Sequence, residues 1–314
     1  MKNILLVGGA GFIGSHIADR LIDEGHRVVA VDNLLLGKED NIRHLYTHNF
    51  FQFIKSDFAD SANVENIFSL GRFDTVFHFA ANSDIKCSVN GPSRDWHHTF
   101  LTTANILEAM RKHHVPCIIF SSSSAVYGEQ STIHIKEDTG YLFPVSYYGG
   151  AKLASEAFIS AYCHMNDLHA LILRFPNVVG ERCTHGVVYD FINKLRLNPR
   201  ELHILGDGRQ SKPYLYITDL IEAVFHLWQR PQETVACYNI GVNSTTPVNK
   251  IADIVCTEMG LTGVAYRYSG GSSGWKGDIS RFSYDLSKIA ATGWKAQYSS
   301  DEAVQVAVRR MLRR

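Results

Sequence analysis

The sequence predicts an α/β protein: a parallel sheet doubly wound with helices on both faces, followed by a smaller C-terminal α/β lobe. Three observations carry this. Apolar strands recur at 4–7, 28–31, 51–54, 75–79, 117–120 and 170–174, the first without any polar alternation, and are separated by helical stretches. Strands buried on both faces read this way, and strand–helix alternation implies right-handed crossovers into one parallel sheet. The first run passes directly into Gly8-Gly9-Ala10-Gly11-Phe12-Ile13-Gly14, a glycine turn opening a helix. After Arg174 the alternation yields to turn-rich stretches at 180–186, 206–208 and 269–277, which marks a second lobe.

Taken in order, Lys2 to Val7 is a buried strand, Ser15 to Glu24 is amphipathic, and Arg27 to Val31 is a second strand ending in Asp32. Strand, glycine turn, helix, strand and acid in this order form the dinucleotide fingerprint of a Rossmann-type sheet. Gly8 permits the tight turn, Gly11 lets backbone approach a pyrophosphate, and Gly14 lets the helix pack on the strand. The helix N-terminus then offers N–H groups to the phosphates. Asp32 is placed to accept hydrogen bonds from both ribose hydroxyls and repels a 2′-phosphate, so the expected cofactor is NAD.

Further along, Tyr148 and Lys152 are four residues apart, which on a helix puts phenol and ammonium on one face. An ammonium beside a phenol favours the phenolate and lowers a pKa that otherwise sits near ~10. The pair is therefore a base for an alcohol whose carbon gives up hydride.

The spacing Gly-x-x-Gly-x-x-Gly with Phe12-Ile13-Gly14 resembles the extended short-chain dehydrogenase/reductase family, in its NAD-dependent epimerase/dehydratase group, over nearly the whole chain. The resemblance implies cofactor contacts from Gly8, Gly11, Phe12, Ile13 and Gly14, and from Asp32 with Asn33. It places Asp57 at the adenine with Phe58 beside it. Phe79-Ala80-Ala81, Ser121 and Phe175 line the cofactor. In Ser121-Ser122-Ser123-Ser124-Ala125-Val126-Tyr127-Gly128 the catalytic hydroxyl, three before the valine, is Ser123. Tyr148 and Lys152 match the catalytic pair, both touching the cofactor, and Ser123 and Tyr148 also meet the substrate. Asn177, Lys212, Arg281 and Phe282 match positions that hold a nucleotide sugar.

The chain departs from the family pattern at several places. Val7 replaces a threonine before the first glycine, and Thr99 replaces an asparagine that braces proton-relay geometry. Lys212 replaces a diphosphate arginine, while Ser273 and Trp275-Lys276 stand where arginine is usual, leaving Lys276 or Arg281 to compensate. The large ring of Phe282 argues against N-acetylated sugars.

A dehydratase needs an Asp-Glu pair after the catalytic hydroxyl, and a uronate decarboxylase a Glu before Val-Tyr-Gly. Here Ser124 and Ala125 stand there. What remains is the minimal apparatus of a 4-epimerase, implied by the resemblance to act on a UDP-hexose of the glucose/galactose type through a 4-keto sugar. A nucleotide-sugar dehydratase or net oxidoreductase is the alternative, and a non-catalytic NAD-binding regulator a third.

Domain boundaries are expected at 1–175 for the NAD-binding domain, with 212–245 returning to it, and 176–314 for the substrate lobe. The resemblance implies a homodimer through the helices near Asp95–His113 and Tyr148–His164. The tract Gly270–Gly274 is either a pocket lid or an idle surface loop. Formal net charge is zero over 314 residues, so no basic field points to nucleic acid or an anionic membrane. No apolar run reaches the length of a membrane span. The first residues form a strand without a signal-peptide pattern, and six scattered cysteines lack paired spacing, so a cytoplasmic protein with reduced thiols is expected. Cys183-Thr184-His185 has no second ligand cluster, and the adjacent pairs among fifteen histidines point apart on a helix, so no metal is expected.

Overall fold

The computed structural model of the protein describes residues 1–85, 91–130, 134–230, 233–275 and 277–313. Cys87, Lys276 and Arg314 lie outside the described residues. The chain divides into two compact units. The first comprises Met1–Val126, Tyr147–Arg174 and Val224–Tyr238; the second comprises Tyr127–Ser146, Phe175–Ala223 and Asn239–Arg314. Residues 127–146 thus group with the second unit, and the segment returning to the first is shorter than 212–245.

The apolar runs form β1 (Asn3–Val7), β2 (Arg27–Asp32), β3 (Phe51–Lys55), β4 (Thr75–His78), β5 (Cys117–Ser123) and β6 (His169–Phe175), and Val235–Asn239 adds β7. Their order is β7-β6-β5-β4-β1-β2-β3. β1 pairs in parallel with both β2 and β4, β2 with β3, and β4 with β5. The chain order reverses between β1 and β4, the switch point at which such sheets open a crevice beyond their strand ends. β7 is an edge strand with half-exposed residues, and its apolar run Val235–Tyr238 falls beyond Arg174, where strand and helix no longer alternate regularly in the sequence.

Helices α1 (Phe12–Asp23), α2 (Ser61–Phe68), α3 (Thr102–His113) and α4 (Tyr147–Asn166) cover the sheet. Ile106, Leu107 and Met110 of α3 and Ile159 and Cys163 of α4 are fully buried with Leu5, Val76, Ile118 and Phe120 of the sheet. Each large aliphatic side chain so buried stabilises the fold by about 1.5–3 kcal/mol. α5 (Ile217–Trp228) begins in the second unit and ends in the first, where Trp228 packs edge-on against Phe77 at 4.9 Å.

The helix expected over Asp95–His113 is not uniform. Ser93–Asp95 is one α turn and Trp96–Leu101 a π turn, and only then does α3 begin. The wide turn frees carbonyls, and the Thr102 hydroxyl donates to that of His97 at 3.0 Å. π turns of this kind recur near functional sites.

The second unit is built of short pairs. Asn177–Val179 pairs in parallel with Tyr214–Tyr216, Glu201–Ile204 with Ala265–Tyr268, and His134–Ile135 with Ser283–Tyr284. The helices Val187–Leu197, Val248–Glu258 and Ser300–Leu312 pack on one another. The last starts in a capping box in which Ser299 and Glu302 satisfy each other's backbone N–H. Among the described residues no helix is long and apolar enough to cross a membrane.

Candidate active site

In the first unit the glycine turn closes on its own backbone. Gly8 has φ +87°, and a Cβ there would lie 2.6 Å from the Ala80 nitrogen. A Cβ on Gly14 would lie 2.0 Å from the Gly8 carbonyl oxygen. Both positions therefore require glycine, and the second sets how closely α1 approaches β1. Gly11 is the N-cap of α1 and brings no capping side chain, so the first N–H groups of the helix, at half-exposed Phe12 and Ile13, meet no side-chain cap. This cradle fits the pyrophosphate of a dinucleotide.

Asp32, at the end of β2, is buried and braces the turn. Its carboxylate accepts the Ala10 amide at 3.0 Å and the Leu34 amide at 2.8 Å. Burial raises its pKa, while the amides of Leu34, Ala10 and Gly11 pull it back down. A carboxylate offers about four acceptor positions. Most of this capacity serves the turn, which leaves less for two ribose hydroxyls than the sequence suggests.

Asn33 and Asp57 meet beyond β2 and β3, where the Asn33 amide donates to Asp57 at 3.2 Å. Phe58 turns its ring into the hydrophobic core. The Phe79 amide donates to the Val7 carbonyl at 2.8 Å, which holds Phe79-Ala80-Ala81 beside the glycine turn.

The serine strand and α4 bring the candidate catalytic residues together. Tyr148, Lys152 and Glu156 recur every four residues along α4, and all three are buried. The Tyr148 phenol is hydrogen-bonded to Ser123, whose Oγ also accepts the Ala125 amide at 3.2 Å. Lys152 donates to the Ser121 carbonyl, and its Nζ lies 4.6 Å from the centre of the Phe120 ring. The Ser121 hydroxyl donates to the His78 carbonyl at 3.2 Å.

The expected lowering of the Tyr148 pKa is not found. Burial pushes the phenol up to about 12, the Ser123 hydrogen bond offsets only part of this, and Asp95 adds to the rise. Burial also pushes Lys152 down to about 7, against the opposing pull of Glu156. The reason is desolvation: a dry site penalises phenolate and ammonium alike. Lys152 also spends a proton on the Ser121 carbonyl.

Sequence reasoning missed several members of the site. Glu156 joins Arg174 and Ser122, and its only signal is the spacing of four from Lys152. Thr99, which departs from the usual asparagine, accepts the Asn82 amide at 3.2 Å, and Asn82 donates to Asp95 at 3.0 Å. A different set of side chains thus braces this helix.

In the second unit, Asn177 opens the strand paired with Tyr214–Tyr216. Lys212 forms an ion pair with Asp278, lies 5.2 Å from the Trp275 ring, and is thereby held within the 269–278 segment's reach. Ser211 bridges to Arg281, which is exposed. Phe282 is buried edge-on against Tyr284 at 5.4 Å, and the Tyr284 hydroxyl donates to the Phe175 carbonyl at 3.0 Å.

Residues 4–241 match the NAD dependent epimerase/dehydratase family. The chain belongs to that family. A putative UDP-glucose 4-epimerase of Methanocaldococcus jannaschii is 34% identical over 307 residues, covering 96% of each chain. The UDP-glucose 4-epimerase of Thermotoga maritima, solved with UDP-glucose, superposes with a TM-score of 0.87 at 32% identity over 98% of this chain and 97% of that one. The Thermus thermophilus UDP-glucose 4-epimerase, solved with NAD, gives 0.87 at 30% identity over 98% and 97%. As a member of this family, the protein is an NAD-dependent enzyme.

Proposed function

We propose that this enzyme is a UDP-hexose 4-epimerase that interconverts UDP-galactose and UDP-glucose through a transient 4-keto sugar. The observation that carries the reading is the hydrogen-bonded Ser123–Tyr148 pair with buried Lys152 one turn along α4. Ser124 and Ala125, where a dehydratase needs a further acid and base, speak against that alternative.

Gly8, Gly11, Gly14, Asp32 and the N-terminus of α1 would hold the cofactor. When bound, NAD would supply the hydride acceptor and donor for C4, and a positive charge in its ring. Tyr148 removes the proton of the C4 hydroxyl and later restores it, and Ser123 donates to the developing oxyanion. A phenol near 12 is protonated at neutral pH, so it acts as a base only beside positive charge. The Lys152 ammonium is one source, fully present below about 7 and lost as pH rises through that value. Asn177, Lys212, Arg281 and Phe282 are assigned to the nucleotide sugar, the two cations to its diphosphate.

Incubation with UDP-, GDP-, CDP- and dTDP-sugars, followed by NMR, tests this. UDP-galactose and UDP-glucose should interconvert without accumulation of reduced nicotinamide. Conversion of none of the sugars overturns the assignment.

The enzyme is further assigned as a homodimer through the outer face of α3, α4 and the π turn. Trp96 is 56% exposed and Phe158 47%, and both contact Phe100 at ring distances of 5.1 and 5.2 Å. So large an aromatic cluster left to solvent marks an interaction surface. Sedimentation should give a dimer that Phe158→Asp dissociates, and a monomeric wild type contradicts it. Cys117, Cys163, Cys183, Cys237 and Cys256 carry thiols rather than disulfides, and the enzyme is assigned to the cytoplasm.

A further inference from the structure

Glu156 has no role in the reaction derived above, yet it is the group on which three elements converge. Its carboxylate accepts Arg174 Nε at 3.0 Å and Arg174 Nη2 at 2.7 Å, a bidentate pair that ties α4 to the end of β6. It also accepts the Ser122 hydroxyl, which ties α4 to β5. Glu156 is 7% exposed and Arg174 6%. Ser122 stands between Ser121, whose carbonyl receives Lys152, and Ser123, whose hydroxyl meets Tyr148. One turn back on α4 is Lys152 itself.

We propose that Glu156 is a positioning residue for the reaction, clamping the serine strand and β6 to α4 and placing a buried carboxylate on the same helix face as Lys152, one turn away. The proposal rests on the reading of Ser123, Tyr148 and Lys152 as the reacting groups. A buried ammonium without a nearby carboxylate loses its proton, because burial penalises only the charged form. The other groups facing Lys152 do not supply the charge. On α4 itself Tyr148 is protonated, and β5 offers only serine hydroxyls and a carbonyl. From β4, His78 is fully buried with its pKa well below the usual value, so it is neutral and offers no counter-charge. Beyond β4, Asp95 acts on Tyr148 rather than on Lys152. From β6, Arg174 is positive and is itself consumed by Glu156.

The test is the titration of Lys152, followed by NMR of lysine labelled at Cε, beside the pH profile of kcat. Wild type should titrate near 7. In Glu156→Gln the Lys152 midpoint, and with it the alkaline limb of kcat, should move at least half a unit to lower pH, with KM and NAD content near wild type. Glu156→Asp, which keeps the charge, should restore most of the shift. If Glu156→Gln fails to fold because Arg174 loses its carboxylate, Arg174→Met, which keeps the Glu156 charge and removes the cation that neutralises it, should move the Lys152 midpoint the opposite way, to higher pH. A Lys152 midpoint unchanged from wild type, in whichever variant folds, overturns the proposal even if stability falls. Absence of epimerase activity in wild type would defeat the functional reading instead, and the Lys152 titration would still decide the role of Glu156.

Discussion

Tyr148→Phe should lower kcat for UDP-galactose by about 10²–10⁴-fold, the range for loss of a positioned general base. The variant should still fold and still hold NAD. Only one oxygen is removed, and Ser123, its partner, keeps the Ala125 amide. The stability lost is therefore about 1 kcal/mol, the usual worth of one internal hydrogen bond. Steady-state kinetics with cofactor content measured on the same sample checks both halves. A variant that turns over within tenfold of wild type would show that another group moves the proton.

Gly14→Ala should act in the opposite way, through the fold. The added Cβ would meet the Gly8 carbonyl oxygen at 2.0 Å, the Gly8 carbonyl carbon at 2.8 Å and the Gly9 Cα at 3.1 Å. All three are backbone atoms, so no side chain can swing aside. Helix α1 must retreat from β1, at a cost of about 3 kcal/mol or more, the upper end for overpacked positions. Such a loss lowers Tm by roughly 6 °C or more in a domain of this size. It also displaces the helix N-terminus, so NAD content should fall with it. Gly11→Ala is the control: its Cβ would be 3.2 Å from the Gly8 oxygen, and its φ of −71° suits any residue. That variant should keep its Tm while weakening NAD. Equal Tm values for all three proteins would contradict the cradle geometry.

Much of this was legible in the sequence because the first unit repeats a simple physical rule. β1, β2, β4, β5 and β6 are largely buried, so each appears as a mostly apolar run, and β3, a part-exposed edge strand, still shows through Phe51, Phe53 and Ile54. β7 carries a comparable run, Val235–Tyr238, but it lies beyond Arg174, where regular strand–helix alternation no longer marks it. The glycines at 8 and 14 stand out because the close approaches they permit admit no side chain. The pairing of Tyr148 with Lys152 follows from helical periodicity. What that pairing does to the phenol does not, since burial is a property of the folded site and reverses the direction expected from charge alone. Glu156 lay within reach of the same periodicity but is recognisable only once Ser122 and Arg174 are seen around it. The π turn at Trp96–Leu101 leaves no mark in the residue pattern. In the second unit the elements are two to four residues long in several pairs, too short for periodicity to register, and the pairing of Lys212 with Asp278 joins residues far apart in sequence.

The central claim is that one phenol, one serine hydroxyl and one lysine, with NAD as hydride acceptor and donor, run a reversible oxidation at a single sugar carbon. UDP-galactose carrying deuterium at C4 tests it most directly. The account predicts UDP-glucose that retains the deuterium at C4, with none released to water. Loss of the label to solvent, or its accumulation in free reduced nicotinamide without the isomeric sugar, would contradict it.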